Sequence, residues 1–181
     1  MIRLLDILFS ILGLFLLLPI FFLVTFISYF DTGSPFLIQK RVGKNLNPFM
    51  LIKFRTMKVN TSFVATHLVN KKNITNFGYF LRKFKIDEFL QLWNVLIGDM
   101  SLVGPRPCLF NQKRLISERK KKRIFIVKPG ITGLAQVKGI TMATPNLLAK
   151  TDLTMIRQIS LSYYFYYIFL SFLLIFKKTL K

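Results

Sequence analysis

The chain has 181 residues, a length that predicts a single domain. Its hydrophobic content of 52% and its net charge of +20 together favour a protein that lies in a membrane beside anionic lipid headgroups. No nucleic-acid-binding motif accompanies this charge, which argues against nucleic acid as a partner, and the single cysteine, Cys108, excludes an internal disulfide bond.

The first segment, residues 7–29, carries no charge and is long enough to cross a bilayer. Pro19 near its middle removes one backbone hydrogen bond and favours a kink. A kinked spanning helix fits this pattern, and so does a re-entrant hairpin that returns to the same membrane face. Basic residues follow the segment and predict that its C-terminal end faces the cytoplasm; they are Lys40, Arg41 and Lys44.

The next part of the chain is predicted to be extended. Residues 36–39 and 49–54 read as short strands or as extended segments over the helices, with turn-forming residues around them. Lys53 and Arg55 alternate with apolar neighbours, so they share one face of an extended chain. The polar region that follows contains the one histidine, His67, to which we assign no role.

Two adjacent acids, Asp87 and Glu88, follow a long basic stretch that has no acid. We expect so cationic a surface to lower both carboxyl pKa values and to keep the acids ionised. An ionised carboxylate can attack phosphorus or bind a hard metal ion, although two acids at a helix start are often only a cap. The pattern after them predicts a helix that ends at Gly98. Its polar stripe contains Asp87, Gln91 and Asn94.

The sequence GPRP occupies residues 104–107, and its two prolines fix the backbone on both sides of Arg106. A guanidinium held in this way suits bidentate recognition of phosphate. The basic stretch 109–127 predicts a helix whose charged face contacts water or, more favourably, anionic headgroups. Residues 128–139 predict a tight glycine-rich loop, in which Gln136 could hold substrate or the fold.

The apolar stretch at residues 162–176 is short for a membrane span. It contains several tyrosines, which prefer the boundary between membrane and water. We therefore predict an interfacial C-terminal helix, with a second span as the alternative.

The chain contains three separated motifs in order: KFRTM at 53–57, DEFLQLWNVLIGDMSLVGPRP at 87–107 and KPGITGLAQVKG at 128–139. With these motifs it resembles the bacterial sugar transferase family, the monotopic polyprenyl-phosphate phosphoglycosyl transferases, from the apolar N-terminus to about residue 160. We therefore expect an α-rich fold with minor β or extended segments. Its expected parts are a re-entrant membrane helix with a break (1–31), a catalytic domain (32–160) and an interfacial apolar helix (161–181).

The resemblance also implies a reaction, in which phosphosugar passes from a UDP-sugar to a membrane polyprenyl phosphate such as undecaprenyl phosphate, with release of UMP. It makes Asp87 the nucleophile that carries the phosphosugar and Glu88 the residue that holds Mg²⁺. The implied substrate-binding residues are Lys53, Arg55, Arg82, Arg106 and Gln136. The implied place is the cytoplasmic face of the bacterial inner membrane, with anionic lipids as further partners, and an oligomer is compatible with the sequence.

Two other functions stay open. A direct glycosyltransferase would pass on the sugar alone and release UDP, and a non-enzymatic basic membrane protein would need no acid pair. The chain departs from the resembled family at Leu18, where a serine usually precedes the proline. It also departs at residues 138–140, where Lys-Gly-Ile stands in place of Asn-Gly-Arg.

Overall fold

The computed structural model describes residues 1–59, 61 and 71–179, and His67 lies outside them. The described chain is mostly helical with two small sheets, as the sequence predicts. Its helices are α1 (Ile2–Thr32), α2 (Asn76–Lys83), α3 (Gln91–Ile97), α4 (Lys113–Lys121), α5 (Leu134–Val137), α6 (Pro145–Gln158) and α7 (Leu161–Thr179). Its strands are β1 (Phe36–Val42), β2 (Pro48–Phe54), β3 (Ser101–Val103) and β4 (Gly130–Thr132). Short 3₁₀ turns occupy Lys44–Leu46, Lys71–Asn73, Ile86–Glu88 and Ile124–Ile126.

β1 and β2 form an antiparallel hairpin, which confirms strands where the sequence predicts strands or extended segments. In its register Arg41 lies opposite Phe49, and Lys53 lies opposite Leu37. Because side chains alternate between the faces of a strand, Arg41 and Lys53 share one face of the hairpin. The same face contains Gln39, which is buried.

The parallel pair of β3 and β4 joins the motif at residues 104–107 to the motif at 128–139. Gly104 and Gly130 face each other here, and a Cβ atom on either would overlap the backbone of the other. Only glycine permits this approach. The expected tight loop at 128–139 is therefore a strand followed by the short α5, because pairing with β3 extends the backbone of β4.

α1 is one helix of 31 residues that contains Pro19 and is capped by Gly33, whose φ of 70° is left-handed. It is long and apolar enough to cross a membrane, and this is consistent with membrane association. Most of its large apolar side chains are exposed. The break at Pro19 stays a prediction.

Two charged residues fix the N-terminal end of α1 to the rest of the protein. Arg3 donates to carbonyl oxygens in the last turn of α3, where the helix dipole favours a cation. Asp6 is buried, and its Oδ1 accepts three hydrogen bonds. The donors are the Leu102 amide, the Ser101 hydroxyl and the Tyr164 hydroxyl, at 3.0, 3.1 and 2.9 Å. β3 and α7 are thus both tied to α1.

The C-terminal half of α1 packs against α2. The Thr75 hydroxyl donates to Asp31 at 2.6 Å, directly before α2 begins. Buried Val24 of α1 packs with Phe54 and Leu81 in one apolar cluster. Both ends of α1 therefore contact the remainder of the chain.

We expect Gly130→Ala to destabilise the fold by about 3 kcal/mol or more, because the new methyl group would overlap the backbone of Gly104. Gly13→Ala in α1 is the matched control, since its methyl group would meet only the flexible side chain of Leu92. Thermal unfolding in detergent micelles measures both variants. Equal falls in Tm would contradict the backbone contact between β3 and β4.

Candidate active site

The two adjacent acids lie in the 3₁₀ turn Ile86–Glu88, before α3, rather than in the first turn of one longer helix. Lys85 enters this turn with a left-handed φ of 57°, a conformation that is uncommon for a residue other than glycine. Gly98 caps the end of α3 with a φ of 99°, as the sequence predicts. The turn buries Asp87, which is 7% exposed.

Glu88 forms an ion pair with Arg106, through Oε1 of the acid and Nη2 of the arginine. The two side chains are 13% and 36% exposed, so the pair lies at a solvent-accessible wall. Burial alone would raise the pKa of Glu88. The charge and hydrogen bond of Arg106, helped by Lys85 and Lys53, outweigh burial and lower the pKa of Glu88 below its ordinary value.

The backbone around Arg106 is held through four consecutive carbonyl groups. Backbone amides bind the first and last of them: Gly130 donates to the Pro105 carbonyl at 2.9 Å, and Val42 donates to the Cys108 carbonyl at 3.0 Å. Guanidinium groups bind the two between: Arg119 donates to the Arg106 carbonyl at 2.8 Å, and Arg41 donates to the Pro107 carbonyl at 3.2 Å. Carbonyl groups of a buried segment need such partners. The bonds add to the restriction that the two prolines impose, so Arg106 is presented in one position.

Arg119 is an exception in the basic stretch that the sequence assigns to water or headgroups. It is 2% exposed, and its Nε and Nη2 contact Oδ2 of Asp152 on α6 at 3.0 and 2.8 Å. The prediction of a solvated or lipid-facing residue is therefore wrong for Arg119, because a buried carboxylate is available across the interface between α4 and α6.

Asp87 lies within the electrostatic reach of three cations, Lys53, Arg82 and Arg106. Its pKa is nevertheless raised to about 6, because burial of the carboxylate and repulsion by Glu88 outweigh these cations. The expectation of lowered pKa values is thus wrong for Asp87, although it holds for Glu88. A count of nearby charges omits the free energy needed to remove a carboxylate from water.

Lys53 on β2 is close enough to both acids for their charges to act on it. Burial lowers the pKa of Lys53 to about 8, although Asp87 opposes this shift. A poorly solvated ammonium group of this kind gains from a bound anion, because the anion replaces the lost water.

Arg82 on α2 is also close to the acids. Its Nε donates to the hydroxyl of Thr56 at 2.8 Å, and Thr56 is itself buried. α2 can lie this near to Thr56 because Gly78 has no side chain, and a Cβ atom there would overlap the Thr56 backbone. Burial lowers the pKa of Arg82, while Asp87 and Glu88 act in the opposite direction.

An open cleft lies beside Glu88. It is lined by Arg41, Leu51, Lys53, Glu88, Gln91, Arg106, Pro107 and Gly130. Arg41 is a cleft residue that the sequence did not reveal, because its charge indicates only which end of the first segment faces the cytoplasm. Strand alternation could have identified it, because it shares a hairpin face with Lys53. Burial and the nearby Arg106 lower the pKa of Arg41 to about 10.

Three residues predicted to bind substrate, Arg55, Arg82 and Gln136, do not line this cleft, and neither does the predicted nucleophile, Asp87. The Arg55 guanidinium donates to the carbonyl oxygens of Ser34 and Phe36, where the hairpin begins. The Gln136 amide donates to Ile131 at 3.5 Å, and its Oε1 is buried without a hydrogen bond in the described part of the chain. Their roles in substrate binding stay predictions.

Within the described residues, no three His, Cys, Asp or Glu side chains lie together as a metal site. The donor set at the cleft is a carboxylate, Glu88, next to a second carboxylate, Asp87. Such a set fits a hard ion like Mg²⁺ that takes its other ligands from phosphate oxygens and water.

A family model described as "Bacterial sugar transferase" matches residues 1–178. The "Uncharacterized sugar transferase EpsL" of Bacillus subtilis is 47% identical over 108 residues, which are 59% of this chain and 53% of that protein. The "UDP-galactose-lipid carrier transferase" of Erwinia amylovora is 38% identical over 144 residues, 68% of this chain and 29% of that one. The "UDP-glucose:undecaprenyl-phosphate glucose-1-phosphate transferase" of Xanthomonas campestris is 42% identical over 122 residues, with shares of 64% and 25%. The chain thus spans about half of the first relative and less than a third of the other two.

We expect Asp87→Asn to stabilise the folded protein above pH 6, by on the order of 1–3 kcal/mol. Because the pKa of Asp87 is raised from 3.8 to about 6, its ionisation increasingly destabilises the fold as the pH rises through this range. The amide carries no charge, so the gain should disappear below about pH 4. Thermal unfolding as a function of pH measures the difference. A variant less stable than the parent at pH 8 would contradict the raised pKa.

Proposed function

The chain belongs to the bacterial sugar transferase family, and from this premise we propose that it transfers a sugar 1-phosphate from a UDP-sugar to a membrane polyprenyl phosphate. The observation that carries the proposal is a buried carboxylate, Asp87, within the electrostatic reach of three cationic side chains and next to an ion-paired Glu88. The names of two relatives, which refer to UDP-sugars and to a lipid carrier or undecaprenyl phosphate, support these substrate classes. The lipid product would begin the assembly of a bacterial glycan.

In the first step a carboxylate oxygen of Asp87 attacks the β-phosphorus of the donor. The bond from this phosphorus to the bridging oxygen breaks, and UMP leaves with the electron pair. Asp87 then carries the sugar phosphate as an acyl phosphate. A pKa of about 6 leaves the carboxylate mostly ionised at pH 7, and its burial leaves it poorly hydrated, so that it is available for attack.

In the second step a phosphate oxygen of the lipid acceptor attacks the same phosphorus. The bond to the Asp87 oxygen breaks, and the carboxylate is restored. Atoms and charge balance without any further reactant. The two substrates need never be bound together, which suits a small site that serves a soluble donor and a lipid in turn.

The cations near Asp87 would supply most of the rate enhancement. Phosphoryl transfer depends on positioning and on neutralising the phosphate oxygens, and Lys53, Arg82 and Arg106, which all act electrostatically on Asp87, would do both. We propose that Glu88 holds Mg²⁺ together with substrate phosphate oxygens and water. The ion would stabilise the negative charge on the leaving phosphate.

We also propose that α1 is re-entrant, with both ends at the cytoplasmic face of the bacterial inner membrane. A straight helix of its 31 residues would be about 46 Å long, and a steeply spanning one would separate its two ends across the bilayer. Yet Arg3 and Asp6 at one end and Asp31 at the other all hydrogen-bond the rest of the protein. A bend at Pro19 would bring both ends to the same face.

In this arrangement residues 32–160 form the catalytic domain between two membrane-associated helices. The exposed Tyr163 and Tyr166 on α7 would lie at the boundary of the bilayer. Exposed lysines and arginines of α4 would contact anionic headgroups. The catalytic cleft would then lie at the level of the lipid phosphate.

We expect Asp87→Asn to abolish turnover and the covalent adduct, because an amide cannot serve as the nucleophile. The parent protein, incubated with a panel of UDP-sugars and no acceptor, should gain the mass of a phosphosugar and release UMP. Asp99→Asn is the matched control and should form the adduct normally. Release of UDP, or full activity of Asp87→Asn, would refute the proposed reaction.

We expect Glu88→Gln to raise the Mg²⁺ concentration for half-maximal rate by about tenfold or more, because a neutral amide is a weaker ligand for a hard ion. Initial rates over a titration of MgCl₂, after treatment with a chelator, measure the effect. An unchanged Mg²⁺ dependence would count against Glu88 as a ligand.

A further inference from the structure

We infer that the buried ion pair of Arg119 and Asp152 is a positioning device that holds Arg106 where it binds the donor phosphates. The pair touches neither the cleft nor Asp87. The inference rests on the proposed function, because it gives the pair a part in the same site.

The guanidinium of Arg119 makes contacts on two sides. Its Nε and Nη2 contact Oδ2 of Asp152, at 3.0 and 2.8 Å. Its Nη1 donates to the carbonyl oxygen of Arg106 at 2.8 Å. Because a guanidinium is planar and rigid, the two contacts to Asp152 determine where the third nitrogen lies. α6 therefore fixes the position of a carbonyl group in the GPRP segment.

The GPRP segment is packed on this side except at a small gap. Pro105 and Pro107 are buried, and they line a small, partly open apolar cavity whose wall includes Arg119 and Phe125. Side chains that border a cavity lack contacts on that side. The hydrogen bonds to the carbonyl groups add to the packing that holds the segment.

Stability is a poor explanation for this ion pair. Both side chains are almost completely buried, at 2% and 1% exposure, and the second carboxylate oxygen of Asp152, Oδ1, has no hydrogen bond in the described chain. Burial raises the pKa of Asp152, although Arg119 opposes the shift. Buried ion pairs with incomplete hydrogen bonding can usually be replaced by apolar residues without loss of stability. The hydrogen bond from Arg119 to the Arg106 carbonyl therefore explains the pair better than a contribution to stability does.

The test is the double variant Arg119→Met/Asp152→Leu, which replaces the pair by apolar side chains. We expect its Tm to stay close to that of the parent, because no charge remains buried and unpaired and the cost is limited to the lost donor of the Arg106 carbonyl. We expect KM for the UDP-sugar in the adduct-forming step to rise about tenfold or more, because the Arg106 carbonyl loses its donor. The matched control is Thr154→Leu, which changes an exposed residue on the same helix as Asp152 and should leave KM unchanged.

A second measurement distinguishes an effect that acts through Arg106 from a general loss of native structure. If the pair acts through Arg106, then Arg106→Gln added to the double variant should raise KM little further, whereas independent effects would multiply. Multiplicative effects, or a parental KM in the folded double variant, would overturn the inference. If the double variant does not fold, Arg119→Lys gives the same readout, because a single ammonium group cannot bind Asp152 and the Arg106 carbonyl in the same geometry. A parental KM in Arg119→Lys would then overturn it.

The behaviour of the parent protein distinguishes failure of the proposed function from failure of the positioning role. A parent that forms no adduct with any UDP-sugar would refute the proposed function itself. A parent that forms the adduct, together with variants of unchanged KM, would refute only the positioning role.

Discussion

The carbonyl groups of residues 105–108 each accept a hydrogen bond from another part of the chain, and the candidate site depends on this constraint. The donors belong to β1, α4 and β4, and Arg41 is 66 residues away from Pro107. Such contacts form only when the domain is folded. Arg106, and through it the charge state of Glu88, is therefore a property of the whole fold rather than of the local motif.

The second organising feature is that two adjacent acids have opposite environments. Glu88 has a fixed cation beside it, and the pKa of its carboxyl is lowered. Asp87 is buried without a direct ion pair in the described chain, and its pKa is raised to about 6. Groups whose pKa values are pushed apart in this way usually have different chemical tasks. This difference supports the proposal that Asp87 attacks phosphorus and that Glu88 binds the ion.

Much of the fold follows from local signals in the sequence. Turn residues around two apolar runs predict strands or extended segments where β1 and β2 lie, although not their pairing, and Gly98 predicts the end of α3. The acid pair and Arg106 stand out because of the prolines and the charge contrast around them. Local signals fail where distant residues decide the outcome.

Arg119 and Arg41 illustrate this limit. Nothing in the adjacent sequence marks Arg119 as buried, and the half-buried Arg41 can be recognised only through the strand that contains it. Arg119 needs Asp152, 33 residues away, and Arg41 needs the hairpin register and the Pro107 carbonyl. The strand within residues 128–139 likewise needs β3 as its partner. The raised pKa of Asp87 depends on desolvation, which a count of charges does not contain.

The attachment of Asp6 has a consequence for biosynthesis. Its partners Ser101 and Tyr164 are 95 and 158 residues further along the chain. Until residues 95–102 have been synthesised, the partners of Arg3 and Asp6 in α3 and β3 do not exist, and these contacts cannot attach the N-terminal end of α1. The contact with Tyr164 can form only after α7 has been synthesised, so Asp6 gains this donor after β3 has supplied the other two.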